Sequence, residues 1–195
     1  MSRPSWLRSA KTSSLVEKPG LAKNLDILFI CTGNICRSAY AHLRLQHSRP
    51  DISVGSAGIG ALVGNDIDRT MGTYLPTDVR WPRHHAQQLT PPLLEASDLI
   101  LPMEEVHVDW IAETLPRAAN KTIPLRTLGR LLRQQPPAGP RTACELAQHY
   151  SGITDMALTE ADAIADPYRR SERIYQQAVA QIDEALELLV RYLAA

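Results

Sequence analysis

The sequence predicts an α/β fold: a three-layer αβα sandwich around a four-stranded parallel sheet. Three observations carry that prediction. Residues 27–30 and, within the strand expected over 97–103, residues 99–103 are continuous apolar runs rather than alternating ones, as in strands covered on both faces. Each of four candidate strands leads into a segment with helical spacing, the order that builds parallel sheets. The chain also closes on a long amphipathic stretch, with Ile174, Ala178, Ile182, Ala185, Leu189 and Leu193 recurring at three- and four-residue steps to give one face for the sheet. A chain of 195 residues with 44% hydrophobic content suits one domain with a real core.

Taken in order, residues 1–24 mix Ser, Pro, Gly and Lys with scattered apolar residues, and read as a flexible basic arm ahead of a domain at 25–195. Strand 27–30 ends at Cys31, and from Arg37 a helix begins with Ala39, Tyr40, Leu43 and Leu45 as its apolar positions. Residues 51–57 alternate well enough for a second strand, closing on Ser56-Ala57-Gly58. A short helix over 68–75 is stopped by Pro76. Strand 97–103 must end near Pro102, which has no N–H for a ladder, and Glu104 and Glu105 suit the first turn of the next helix. Residues 122–125 read as a fourth strand, 127–133 as a helix, 134–140 as a loop and 142–150 as a helix carrying Cys144. The last helix is expected over 168–193.

The join between the first strand and its helix draws the chemistry. Gly33 and Asn34 are the residue types that most easily take positive φ, so the chain can curl there with its amides turned inward. Successive N–H groups form an anion-binding concavity, the helix start adds its positive end, and Arg37 offers a planar fork for two phosphate oxygens. All three favour a thiolate over a thiol at Cys31, a nucleophile held in an oxyanion cradle. At the far end of the chain, Asp166-Pro167 by itself reads as a helix-capping pair.

The octet Cys31-Thr32-Gly33-Asn34-Ile35-Cys36-Arg37-Ser38 after a buried strand resembles the active-site loop of the low-molecular-weight protein tyrosine phosphatases. The resemblance spans roughly residues 25–193 and includes the Asp166-Pro167-Tyr168 segment before the last helix. It implies Cys31 as nucleophile, Arg37 as phosphoryl clamp and Asp166 as general acid. Thr32, Gly33, Asn34, Ile35, Cys36 and Ser38 complete the phosphate loop. It further implies that Ser56 and His84 support Asn34, with an exposed His84-His85 pair as the alternative for the latter. Tyr168 either lines the cleft or packs on the surface. Cys36 either forms a reversible disulfide with Cys31 or fills space. An acidic residue near the active site is common after the family's methionine at this place, but Glu104 reads first as a helix start. The substrate wall at 59–68, aromatic in many relatives, holds no aromatic residue here.

The implied activity is hydrolysis of phosphotyrosine in a protein substrate through a phosphocysteine, with phosphate or another oxyanion held in the loop. No cofactor and no metal is expected, since Arg37 and the amides supply the positive charge. A zinc site at Cys31, Cys36, His42 and His47 fails on spacing, and on a helix the two histidines point apart. Arsenate reductase of the same fold is a rival, but its further close cysteine pair is missing, with only Cys144 outside the loop. A phosphopeptide-binding module without turnover is a second rival. The chain carries 21 basic and 21 acidic residues, which gives no general surface for nucleic acid. With three cysteines, no run of membrane-spanning length and no apolar leader, the reading is a cytoplasmic protein.

Overall fold

The computed structural model describes residues 25–78, 80–151 and 162–194, so the arm expected over 1–24 lies outside the described residues. Strand β1 (Leu25–Cys31) is central, with β2 (Val54–Gly58) and β3 (Ser97–Pro102) parallel to it on either side. The register pairs Phe29 with Ser56 and Leu101, and Cys31 with Gly58. A strand with neighbours on both edges and helices on both faces has no wet side, which is why Ile27, Leu28, Phe29 and Ile30 are all completely buried.

Side-chain alternation along β1 divides the interior in two. Ile27, Phe29 and Cys31 face one core, built with α1 (Arg37–Ser48), α5 (Leu125–Gln134), α6 (Ala143–Tyr150) and α7 (Glu172–Tyr192). Leu28 and Ile30 face the other, built with α3 (Pro91–Glu95), α4 (Glu105–Thr114) and a 3₁₀ turn over Pro116–Lys121. The short α2 (Arg69–Gly72) packs Met71 into the first core and is capped by Asp68, whose side chain accepts the Met71 N–H.

Several boundaries differ from the sequence reading, each for a local reason. The fourth strand shrinks to one parallel bridge between Ile100 and Thr122. Pro124 has no N–H to extend the ladder and Leu125 already opens α5, so among the described residues the sheet has three full strands. Strand β2 begins at Val54, later than expected, because residues 49–52 turn back on themselves through the Ile52 N–H to Arg49 carbonyl bond. The final helix starts at Glu172 behind Ser171 rather than at Tyr168, because Arg169 sits at φ 57, where a right-handed helix cannot continue. Asp166 therefore caps no helix. The expected helix over 142–150 holds, with a Thr142–Glu145 capping box.

Strand β2 ends directly beneath the loop that follows β1. A Cβ added at Gly58 would overlap the Thr32 carbonyl oxygen and lie 3.0 Å from the Asn34 nitrogen, both backbone atoms. Only glycine lets the two chains approach this closely. Gly58→Ala is therefore expected to cost about 1–3 kcal/mol of stability, read as a lower urea midpoint, whereas an unchanged midpoint would show that the loop yields freely at this point.

Candidate active site

Residues 31–37 curl from the end of β1 into α1, and the direction of their peptides is fixed from outside. The Cys31 carbonyl accepts the Ile59 N–H at 3.1 Å, Thr32 accepts from Gly60 at 3.0 Å, Gly33 from Leu62 at 3.0 Å and Ile35 from Asp68 at 2.7 Å. The Asn34 carbonyl accepts from His84 Nε2 at 2.7 Å, and that of Cys36 from Tyr40 N–H at 2.9 Å. In a trans peptide the N–H points opposite to the C=O. Six carbonyls turned outward thus aim the amides of residues 32–37 into one bowl. The wall at 59–68, expected from the sequence only as a lining for substrate, supplies most of the bonds that hold it open.

Asn34 makes the curl possible. It stands at φ 54, the left-handed region, whereas Gly33 does not use its freedom. Its Nδ2 donates to Ser38 Oγ and to Ser56 Oγ, both at 2.9 Å, and its Oδ1 accepts the Gln87 N–H at 2.9 Å. The side chain is completely buried and fully satisfied. Ser56 also faces His42 Nδ1 at 3.2 Å, and its carbonyl accepts from Gln87 Nε2 at 2.9 Å. Ser56 and His84 thus both touch Asn34, the serine through the amide and the histidine through the main chain. Gln87 and His42 belong to the same shell, and nothing in their sequence context marks them for it.

At the bottom of the bowl, Cys31 Sγ receives the Asn34 N–H at 3.3 Å and lies 2.9 Å from Ser38 Oγ. Ser38 already accepts from Asn34, so its own hydrogen is available for a sulfur anion. Cys36 is buried in the same core, where burial first and then the charge of Asp68 push its thiol up, keeping it protonated.

Arg37 is almost wholly buried, which for a cation requires partners. Its Nη1 donates to Glu104 Oε1 at 2.7 Å and to the Ile164 carbonyl at 2.9 Å, and its Nη2 lies 3.4 Å from Asp166 Oδ1. Nε has no partner among the described residues and remains a donor for an oxyanion. Glu104 was expected to serve the start of α4. It stands at the N-cap position, yet its side chain makes no capping bond and holds the guanidinium instead. His107, one turn into α4, was not singled out by the sequence. It is completely buried, with Nε2 3.1 Å from Thr32 Oγ1 and 3.7 Å from Glu104 Oε1. Burial and the neighbouring Arg37 drop its pKa to about 3, so it is a neutral strut.

Cys31, Arg37, Asp166 and Tyr168 line one cavity of about 180 Å³ with Thr32, Cys36 and Leu62. Tyr168 is half-buried beneath the Arg169 guanidinium, 5.0 Å from its ring centre, and supplies the aromatic part of the cavity's lining. The arrangement presents a sulfur, an inward ring of amides, a fixed cation and a half-exposed carboxylate to one volume. That combination suits the transfer of a tetrahedral oxyanion.

The chain's resemblance to known proteins agrees with this geometry. Residues 26–135 match the model of the low molecular weight phosphotyrosine protein phosphatases. The tyrosine phosphatase AmsI of Erwinia amylovora is 30% identical over 170 residues, which cover 87% of this chain and 97% of AmsI. Among solved structures, Vibrio vulnificus Wzb in complex with benzylphosphonate superposes with a TM-score of 0.64 at 30% identity, covering 89% of this chain and 100% of that one. The YwlE arginine phosphatase from Geobacillus stearothermophilus reaches 0.62 at 25% identity, over 84% and 89% of the two chains. A three-strand core with this loop at its edge, matched over more than half the chain, makes the protein a member of the low molecular weight phosphotyrosine protein phosphatase family.

Proposed function

We propose that the protein hydrolyses phosphotyrosine in protein substrates, with Cys31 as nucleophile, Arg37 as phosphoryl clamp and Asp166 as general acid and then base. The observation that carries this reading is that these three residues, from opposite ends of the domain, line one cavity. The phosphoryl group would sit in the bowl with its equatorial oxygens on the amides of residues 32–37 and on Arg37 Nε. The Cys31 thiolate attacks phosphorus while Asp166 gives its proton to the leaving phenoxide. Asp166, now ionised, takes a proton from the water that cleaves the phosphocysteine and regenerates the thiolate. Ser38 donates to the sulfur when it leaves as an anion. The charge that builds on the phosphoryl oxygens is met by the guanidinium and peptide dipoles, so the reaction does not call for a metal ion. A nucleophile that must remain a free thiol also favours a reducing, cytoplasmic setting.

The cavity's chemistry sets the substrate class. Tyr168 and Leu62 offer apolar contact to an aryl ring, and an acid near the bridging oxygen helps most where that oxygen would otherwise leave as an anion. Turnover of p-nitrophenyl phosphate and of a phosphotyrosine peptide should be abolished in Cys31→Ser. Asp166→Ala should lower kcat by roughly 10²–10⁴-fold. Wild type that binds the peptide without turnover would favour a binding module, and turnover confined to phosphoarginine peptide would replace tyrosine as the substrate.

The buried histidines set an acid limit on the folded enzyme. Burial, and then His84, lower the pKa of His42 to about 4; burial alone is the main cause that lowers His84. An unfolded chain takes up these protons near pH 6.5, while in the folded protein His42 resists until about pH 4 and His84 is held below its ordinary value. The unfolded state therefore binds more protons in that window, and stability falls as pH drops from 6.5 toward 4. His42 alone accounts for on the order of 3 kcal/mol. The urea midpoint should fall through this window, and His42→Gln should make the fall shallower; an equal slope in the variant would remove His42 from the account.

A further inference from the structure

A second cavity, of about 440 Å³, lies on the opposite side of the Asn34 shell from Cys31, between α1 and the strap of residues 80–87. It is larger than the cavity around Cys31 and within the range of about 300–1,000 Å³ usual for small-molecule sites. Its lining is chemically one-sided. Arg80, Arg83, His42, His47, His84 and His85 contribute to it, and no carboxylate does. Arg83 reaches Asp66 only at 3.6 Å, and Arg80 and His85 have no hydrogen-bond or ion-pair partner among the described residues. Trp81 supplies a half-buried aromatic wall, its Nε1–H committed to the Pro76 carbonyl at 2.7 Å and its ring set edge to face against His47. Two arginines and an indole around a volume without negative charge match a small aromatic anion.

The floor of this cavity is the phosphate loop's own support. Ser56 and His84 line it, and both hold Asn34. Ser56 Oγ accepts from Asn34 Nδ2 and lies 3.2 Å from His42 Nδ1, whose ring also lines the cavity. A ligand in the cavity therefore packs directly against Ser56 and His84, the two residues that hold Asn34, and against His42, which contacts one of them. We propose that this cavity is a second ligand site, taking a small aromatic anion, and that its occupation disturbs Asn34 and slows the reaction at Cys31. The binding half stands on the cavity alone; the kinetic half rests on the catalytic reading of Cys31.

Naphthalene-2-sulfonate, an aromatic anion with no phosphoryl group, separates the two halves when titrated into the full chain by calorimetry. Binding should persist when orthovanadate saturates the Cys31 loop, and Arg80→Glu and Arg83→Glu should each weaken it at least fivefold. With p-nitrophenyl phosphate, a saturating ligand should lower kcat severalfold and leave KM nearly unchanged. No binding at millimolar ligand, loss of binding with orthovanadate, or indifference to both charge reversals would overturn the site. Binding with all of these signatures but an unchanged kcat would overturn the link to Asn34. A protein inactive on every phosphate ester would still give the binding result, so failure of the catalytic reading is told apart from failure of this one.

Discussion

The left-handed turn at Asn34 is the constraint on which the site depends. A non-glycine residue pays a conformational penalty there, and it persists only where surrounding bonds outweigh it. Here every polar atom of the asparagine is engaged, and the partners come from β2, from α1 and from the strap at 84–87. Remove that convergence and the loop loses the turn on which the bonds from the wall at 59–68 are built. The bowl is a property of the fold's contact with the loop, more than of the loop's own sequence.

Electrostatics follow from that geometry. Inward amides and Arg37 make the cavity positive, yet an isolated buried guanidinium would be too costly to keep. Glu104 answers part of the cost at Nη1 while leaving Nε for an oxyanion, so the cation is held without being neutralised at the face that matters. His107 completes the arrangement by being uncharged. A second cation 3.7 Å from Glu104 would compete with Arg37 for it, and burial, with Arg37 beside it, removes that competitor at neutral pH.

Much of this was legible in the sequence because it is local. Continuous apolar runs announced β1 and β3, and the residue types from Cys31 to Ser38 announced a curl with a thiol, a guanidinium and inward amides. What escaped notice is relational. Glu104 looks like any acid at a helix start, and its service to Arg37 depends on β3 ending level with β1. Gln87, His42 and His107 carry no local mark, since each acts through a partner many positions away. The fourth strand is shorter and the last helix starts later than periodicity suggests, because single backbone events, Pro124 and the positive φ of Arg169, override it.

The general acid proposed at Asp166 sits on a loop and raises the problem of aim, since a carboxylate half in solvent must still meet the leaving oxygen. Ile164 solves it. Its N–H donates to the Met103 carbonyl at 2.8 Å, just beyond the end of β3, and its own carbonyl accepts from Arg37 Nη1. One residue thus ties the loop to the sheet and to the phosphoryl clamp, two positions before Asp166. In that proposal the acid is placed by the same guanidinium that clamps the phosphoryl group, since Arg37 contacts both the Ile164 carbonyl and Asp166 Oδ1. Asp166 can then stay open to water while the chain two residues before it is tied to the sheet, which is what the proposed service first as acid and then as base requires.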